Sequence, residues 1–143
     1  MKTVLFAASE GLPFIKSGGL ADVVGSLPQS LKQCGYEVRI VLPYYKKIRD
    51  KFADKLEYIG NRQIYSGWIN EPANYYQSVV DGITYYFVEH YGYFGRDQLY
   101  GLAGFSSNSI ISSLSLVFII PKRLASFKGT PKTAIVASAS FCL

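Results

Sequence analysis

No acidic residue follows Asp97, the cysteines number two, histidine occurs once, and no apolar run is long enough to cross a bilayer. Each shortage removes a class of function. Cys34 and Cys142 lie far apart and form no C-x-x-C pair, which leaves a disulfide framework or a zinc site without support and fits reduced thiols. A solitary His90 cannot supply a histidine metal cluster or a Ser-His-Asp triad, so no metal and no cofactor are expected, and His90 is read as a surface residue at a strand end. Residues 110–120 are the longest apolar-rich stretch, but serines interrupt them and they fall short of the roughly 20 residues that span a membrane. The amino terminus has one lysine and a short apolar run, without the longer apolar region and cleavage site of a signal peptide. A soluble, cytoplasmic protein without membrane contact, and without a plastid transit peptide, is the expectation.

The formal charge of +5 is unevenly placed. Residues 1–101 hold eleven basic and ten acidic side chains, whereas residues 102–143 hold four basic and none acidic. The main part is therefore nearly neutral. In its most basic stretch, residues 44–55, acids are interspersed, as on a solvated helix, so a nucleic-acid partner is not expected. A hydrophobic content of 49% in 143 residues suffices for the core of one domain.

The informative stretch is residues 9–25, S-E-G-L-P-F-I-K-S-G-G-L-A-D-V-V-G. It lies between the apolar run at residues 4–8 and apolar positions Leu20, Val23, Val24, Leu27 and Leu31, which fall on one face of a helix. The reading is strand, glycine-bearing loop, helix. The helix extends to about Cys34 with Gly35 as its terminal cap, and Pro28 either kinks it or restarts it. Its first turn offers free N–H groups and the positive end of a dipole, both of which attract anions. Gly18 and Gly19 leave that turn open, Lys16 adds a cation on a flexible stem, and Asp22 could favour the dipole or accept hydrogen bonds from a ligand hydroxyl. A sugar diphosphate would suit such a site. The motif is neither a Walker A loop nor a G-x-G-x-x-G fingerprint, and taken alone it also fits a mobile loop with a solvated lysine.

Residues 37–43, E-V-R-I-V-L-P, complete a strand, helix, strand unit, for which parallel strands and a right-handed crossover are the rule. Ligands of open sheets bind beyond the carboxyl ends of the strands, where the Lys16 loop emerges. Residues 56–68 read as a further strand, and Asp81-Gly82 between two β-rich runs, residues 75–80 and 83–89, predicts a hairpin. Its tyrosines, Tyr75, Tyr76, Tyr85 and Tyr86, are read as cross-strand packing rather than as a sugar platform.

K-S-G-G-L-A-D-V-V-G-S-L-P, preceded by S-E-G-L-P-F and followed by V-R-I-V-L-P-Y-Y, closely resembles the amino terminus of the family of bacterial glycogen synthases and plant starch synthases, glycosyltransferase family 5. The resemblance implies an α/β fold: a partial Rossmann-like N-terminal domain of a GT-B glycosyltransferase, with a β-hairpin insertion. It implies a metal-free enzyme that transfers glucose from ADP-glucose to the non-reducing end of an α-1,4-glucan, with retention of configuration, in glycogen biosynthesis. Carried onto this sequence, Lys16 would contact the donor diphosphate, Gly18 and Gly19 would lie beside the phosphates and the transferred sugar, and Asp22 near the glucan or glucose. In Y-G-Y-F-G-R-D-Q-L-Y-G, residues 91–101, Tyr100 would be a glucose-site residue and Arg96 its structural partner, although a loop anchored by buried aromatics fits as well.

The resemblance covers residues 1–101 and then stops. Residues 102–143 are rich in serine and free of acid, a composition that reads as an out-of-frame tail of unknown structure rather than a second domain. The paired glutamates, arginine and lysine that the family's second domain contributes do not appear, so no catalytic set is complete and activity of these 143 residues alone is not expected. The reading from a different class is a non-catalytic domain that binds a phosphate-bearing ligand, a glucan or a partner protein.

Overall fold

The computed structural model describes residues 3–66, 69–94 and 133–135. Chain order is β1 (Thr3–Ala7), α1 (Gly19–Gln33), β2 (Glu37–Pro43), α2 (Lys46–Phe52), a 3-10 turn (Ala53–Lys55), β3 (Glu57–Ser66), β4 (Ile69–Val80), β5 (Ile83–Glu89), α3 (Tyr91–Phe94) and β6 (Thr133–Ile135). The strands form one mixed sheet in the order β3-β4-β5-β2-β1-β6. β6, β1, β2 and β5 run parallel, and β4 and β3 extend the sheet antiparallel. The α/β class expected from the sequence is the class observed.

Unbroken apolar runs in β1 and β2 suit strands covered on both faces. Val4, Leu5, Phe6 and Ala7 are all buried, as are Ile40, Val41 and Leu42. In the register Ile40 faces Tyr85 and Leu42 faces Phe87, so these four share one side, while Val41 and Tyr86 share the other. On that second side the Arg39 guanidinium donates to Glu37 at 2.5 and 2.9 Å, which holds the Glu37 carboxyl below its ordinary range.

α1 ends in a Schellman arrangement. Gly35, at φ +84°, donates its N–H to the Lys32 carbonyl and Tyr36 donates to Leu31, a geometry that a side chain at Gly35 would strain. Pro28 lies buried within the helix, which runs through it from Gly19 to Gln33 without restarting. At the hairpin, Asp81 and Gly82 both have positive φ, +51° and +70°, the pairing that a type I′ turn requires. The Lys32 ammonium, from the last turn of α1, donates to the Asp81 carbonyl at 2.7 Å and ties this turn to the helix. The second arm of the hairpin, β5, is itself the parallel neighbour of β2, so the sheet passes directly from its parallel to its antiparallel part.

Candidate functional site

Residues 9–18 connect the carboxyl end of β1 to α1, and most of their contacts point inward. Gly11 and Ile15 exchange N–H···O bonds at 3.0 and 3.1 Å, the Leu12 N–H donates to Ala21 in α1, and the Leu12 carbonyl accepts from the Tyr85 hydroxyl at 3.1 Å. The Leu12–Pro13 peptide is cis. Phe14 inserts its ring among Phe52, Tyr85 and Phe87, with centroids 4.7 to 5.2 Å away. The loop is thus clamped to the core by an aromatic cluster of high contact area.

Glu10, which the sequence did not single out, organises the other end. Its side chain is buried, and one carboxylate oxygen accepts from the Ser17 N–H at 2.5 Å, the Ser17 hydroxyl at 2.6 Å and the Gly18 N–H at 3.3 Å. Charge-assisted bonds of this kind are the strong ones. They fix the backbone just ahead of the helix, whose N-cap Gly18 has extended geometry and no side-chain cap.

Lys16, Gly18, Gly19 and Asp22 are brought together at this helix start. The Lys16 ammonium meets both oxygens of Asp22 at 2.7 and 2.8 Å, and both side chains are about half exposed. An exposed pair of this type stabilises by less than about 1 kcal/mol, so an incoming anion can compete for the lysine. Tyr100 and Arg96 lie outside the described residues.

The glycines of this region differ in kind. A Cβ on Gly11 would come within 2.7 Å of Val24, which leaves no room for a side chain without a shift, while one on Gly25 would lie 3.0 Å from Leu12, a tight approach where loop and helix touch. A Cβ on Gly19 would meet nothing within 4 Å, and one on Gly18 only a Glu10 oxygen at 3.6 Å. Neither has positive φ. The internal packing therefore gives no reason for glycine at positions 18 and 19, and the space beside them stays open.

A second polar cluster sits at the carboxyl end of β5, on the same edge of the sheet. Glu89 accepts from Arg49 at 2.5 Å, from the Asn74 amide at 2.9 Å and from the Tyr76 hydroxyl at 3.1 Å. Burial, reinforced by the Glu89 charge, pushes the Tyr76 hydroxyl up to about 12. Burial likewise raises Tyr44, which packs against Tyr76 and under the Arg49 guanidinium. His90 is buried and pairs with Glu71, a correction to its expected place on the surface. The strand pattern marked its end but not the backbone over it: a Cβ on Gly92 would lie 3.3 Å from the imidazole. Among the described residues no three His, Cys, Asp or Glu side chains are grouped to hold a metal, and no helix is long and apolar enough to cross a membrane.

Residues 3–115 match the family model for the starch synthase catalytic domain. Glycogen synthases of Streptococcus pneumoniae, among them those of strains Hungary19A-6 and D39, are 41% identical over 98 residues, which is 68% of this chain and 20% of theirs. The chain thus spans about a fifth of the length of these curated relatives. Its fold is similar to the catalytic domain of starch synthase IV from Arabidopsis thaliana, solved with ADP and acarbose, at a TM-score of 0.73 and 24% identity over 94% of this chain and 27% of that one.

Proposed function

The chain belongs to the starch synthase catalytic-domain family, and we propose that it forms the donor-phosphate wall of a retaining glucosyltransferase, one that moves glucose from ADP-glucose to the non-reducing end of an α-1,4-glucan such as glycogen. In this reading Lys16 holds the diphosphate, Gly18 and Gly19 admit it to the helix N-terminus, and Asp22 faces the glucose or glucan. Tyr100 contributes to the glucose site. The setting is cytoplasmic, without nucleic acid or membrane as partner.

One observation carries the proposal: the two glycines at the start of α1 answer to no internal packing, while a lysine stands beside the open space they leave. Donors fixed in advance of ligand binding stabilise developing charge without reorganisation, which is what departure of a nucleoside diphosphate demands. Glu10 provides the fixing here. Weak pairing of Lys16 with Asp22 keeps the cation in position and replaceable.

Calorimetric titration of the chain with ADP-glucose tests this. Lys16→Ala is expected to weaken binding about ten-fold or more, as loss of a charge-assisted contact does. Gly19→Ala is expected to weaken binding through the blocked approach while leaving the urea midpoint unchanged or slightly higher, since alanine suits a helix better than glycine. Equal affinity in all three proteins would exclude this loop as the donor site.

A further inference from the structure

At the amino end of β5 the hairpin turn lies against the last turns of α1, and between them is a pocket of about 510 Å³ whose lining includes Leu12, Pro13, Gln29, Gln33, Asp81 and Tyr85. That volume is in the range of small-molecule sites, roughly 300–1,000 Å³. We propose that the pocket binds a nucleoside whose base carries an exocyclic amino group, with no need of a phosphate. The proposal goes beyond the donor reading and does not rest on it, since Lys16, Gly18, Gly19 and Asp22 stand outside this lining.

Unused hydrogen-bonding capacity distinguishes the pocket. On β3 and β4 the amides of Asn61, Gln63, Asn74 and Gln77 each donate to another side chain. Gln29 and Gln33, one turn apart on α1, and the Asp81 carboxylate have no such side-chain partner among the described residues. The Asp81 charge is felt at the buried wall of the pocket: burial first, and then that charge, raises the Tyr85 hydroxyl above its ordinary range. The hydroxyl itself is committed to the Leu12 carbonyl at 3.1 Å.

Two amides and a carboxylate around apolar walls make a specific set. An amide reads a base edge with its N–H and its carbonyl together, pairing with an amino group and a neighbouring ring nitrogen, and a carboxylate accepts from an amino group. Leu12, Pro13, Val80 and the Tyr85 ring supply apolar contact for the faces of the base. A phosphate is not favoured. Asp81 gives the lining a negative charge, and the nearby Lys32 ammonium is already bonded to the Asp81 carbonyl at 2.7 Å.

Calorimetric titration of the full 143-residue chain with adenosine, and with inosine, which carries an oxygen in place of the amino group, is the experiment. The parent chain is expected to bind adenosine about ten-fold tighter than inosine, because the inosine oxygen would face a carboxylate. Asp81→Asn keeps a residue that suits the positive φ of a type I′ turn, so its urea midpoint should stay close to that of the parent. In that variant adenosine is expected to bind about ten-fold more weakly, and the preference over inosine to vanish. Gln33→Ala, at an exposed helix position, should weaken adenosine about five-fold. Lys16→Ala should leave adenosine binding unchanged while weakening ADP-glucose, which keeps the two sites separable. No heat of binding at millimolar adenosine, equal affinity for the two nucleosides in the parent chain, parent-like adenosine affinity in Asp81→Asn, or loss of adenosine binding in Lys16→Ala overturns the proposal.

Discussion

A carboxylate only 3% exposed must find its hydrogen-bond donors inside the protein, and Glu10 finds them in the backbone and side chain of Ser17 and the backbone of Gly18. Its replacement leaves those donors facing a void, a loss of the order of 1–3 kcal/mol for a buried polar group. Glu10→Ala is accordingly expected to lower stability by about 2 kcal/mol in urea titrations and to weaken ADP-glucose binding as well. Glu10→Gln, which keeps an acceptor but loses the charge, should lie between the two. Parent-like stability in Glu10→Ala would mean that Phe14 and the bonds of Gly11 and Leu12 hold the loop without it. Lys16, Gly18, Gly19 and Asp22 were legible in the sequence because they sit within one loop and one helical turn, where spacing alone brings them together. Glu10 was not, because nothing in a hydrophobic pattern tells a buried acid with donors seven and eight residues ahead from a solvated one. His90 escaped for a similar reason: a strand's end can be read from its turn signals, but its burial depends on the backbone at Gly92 and on Glu71 from another strand.

Local codes were readable at the scale of elements as well. Asp81-Gly82 dictated the hairpin, and Gly35 the end of α1, through the positive φ each must adopt. The pairing of β5 with β2 was not readable, since a strand does not carry the name of its more distant neighbour. That pairing brings Glu89 beside Arg49 of α2, with Asn74 and Tyr76 from β4, and it has a consequence for alkaline stability. Burial and then the charge of Glu89 raise Tyr76 to about 12 in the folded protein, against an ordinary value of 10.0. The folded state therefore holds a proton that the unfolded state releases first. Its contribution is complete below the ordinary tyrosine range and declines as pH rises through the folded value. Burial raises Tyr44 and Tyr85 in the same direction. Urea midpoints are expected to fall as pH passes from 9 to 11.5, and Tyr76→Phe should make that decline shallower. An identical slope in the variant would show that Tyr76 ionises as freely when folded as when unfolded.

Taken whole, the sheet shows which parts of the molecule depend on distant sequence. β6, three residues from beyond position 102, lies parallel to β1 on the side away from β2, a placement no local pattern announced. At the opposite border β3 pairs with β4 alone among the described strands. The Lys16 loop and the Glu89 cluster share one edge, and on the proposed function donors on that edge address only one side of a leaving diphosphate. Efficient transfer needs donors around the whole of it. The 98 matched residues span about a fifth of the pneumococcal relatives, and the purified chain is expected to bind ADP-glucose without turnover in glucan-extension assays. Measurable incorporation of glucose would mean that this portion holds a complete catalytic set.

The two kinds of glycine answer to different histories. Gly11 has no room for a side chain and Gly25 little wherever this loop folds against this helix, whatever the protein is used for. Gly18 and Gly19 meet no such packing demand, and on the proposed function it is the donor that keeps the space beside them open. In a lineage where the chain persisted after losing its substrate, the first pair would endure while the second drifted, and the order of their decay would date the loss.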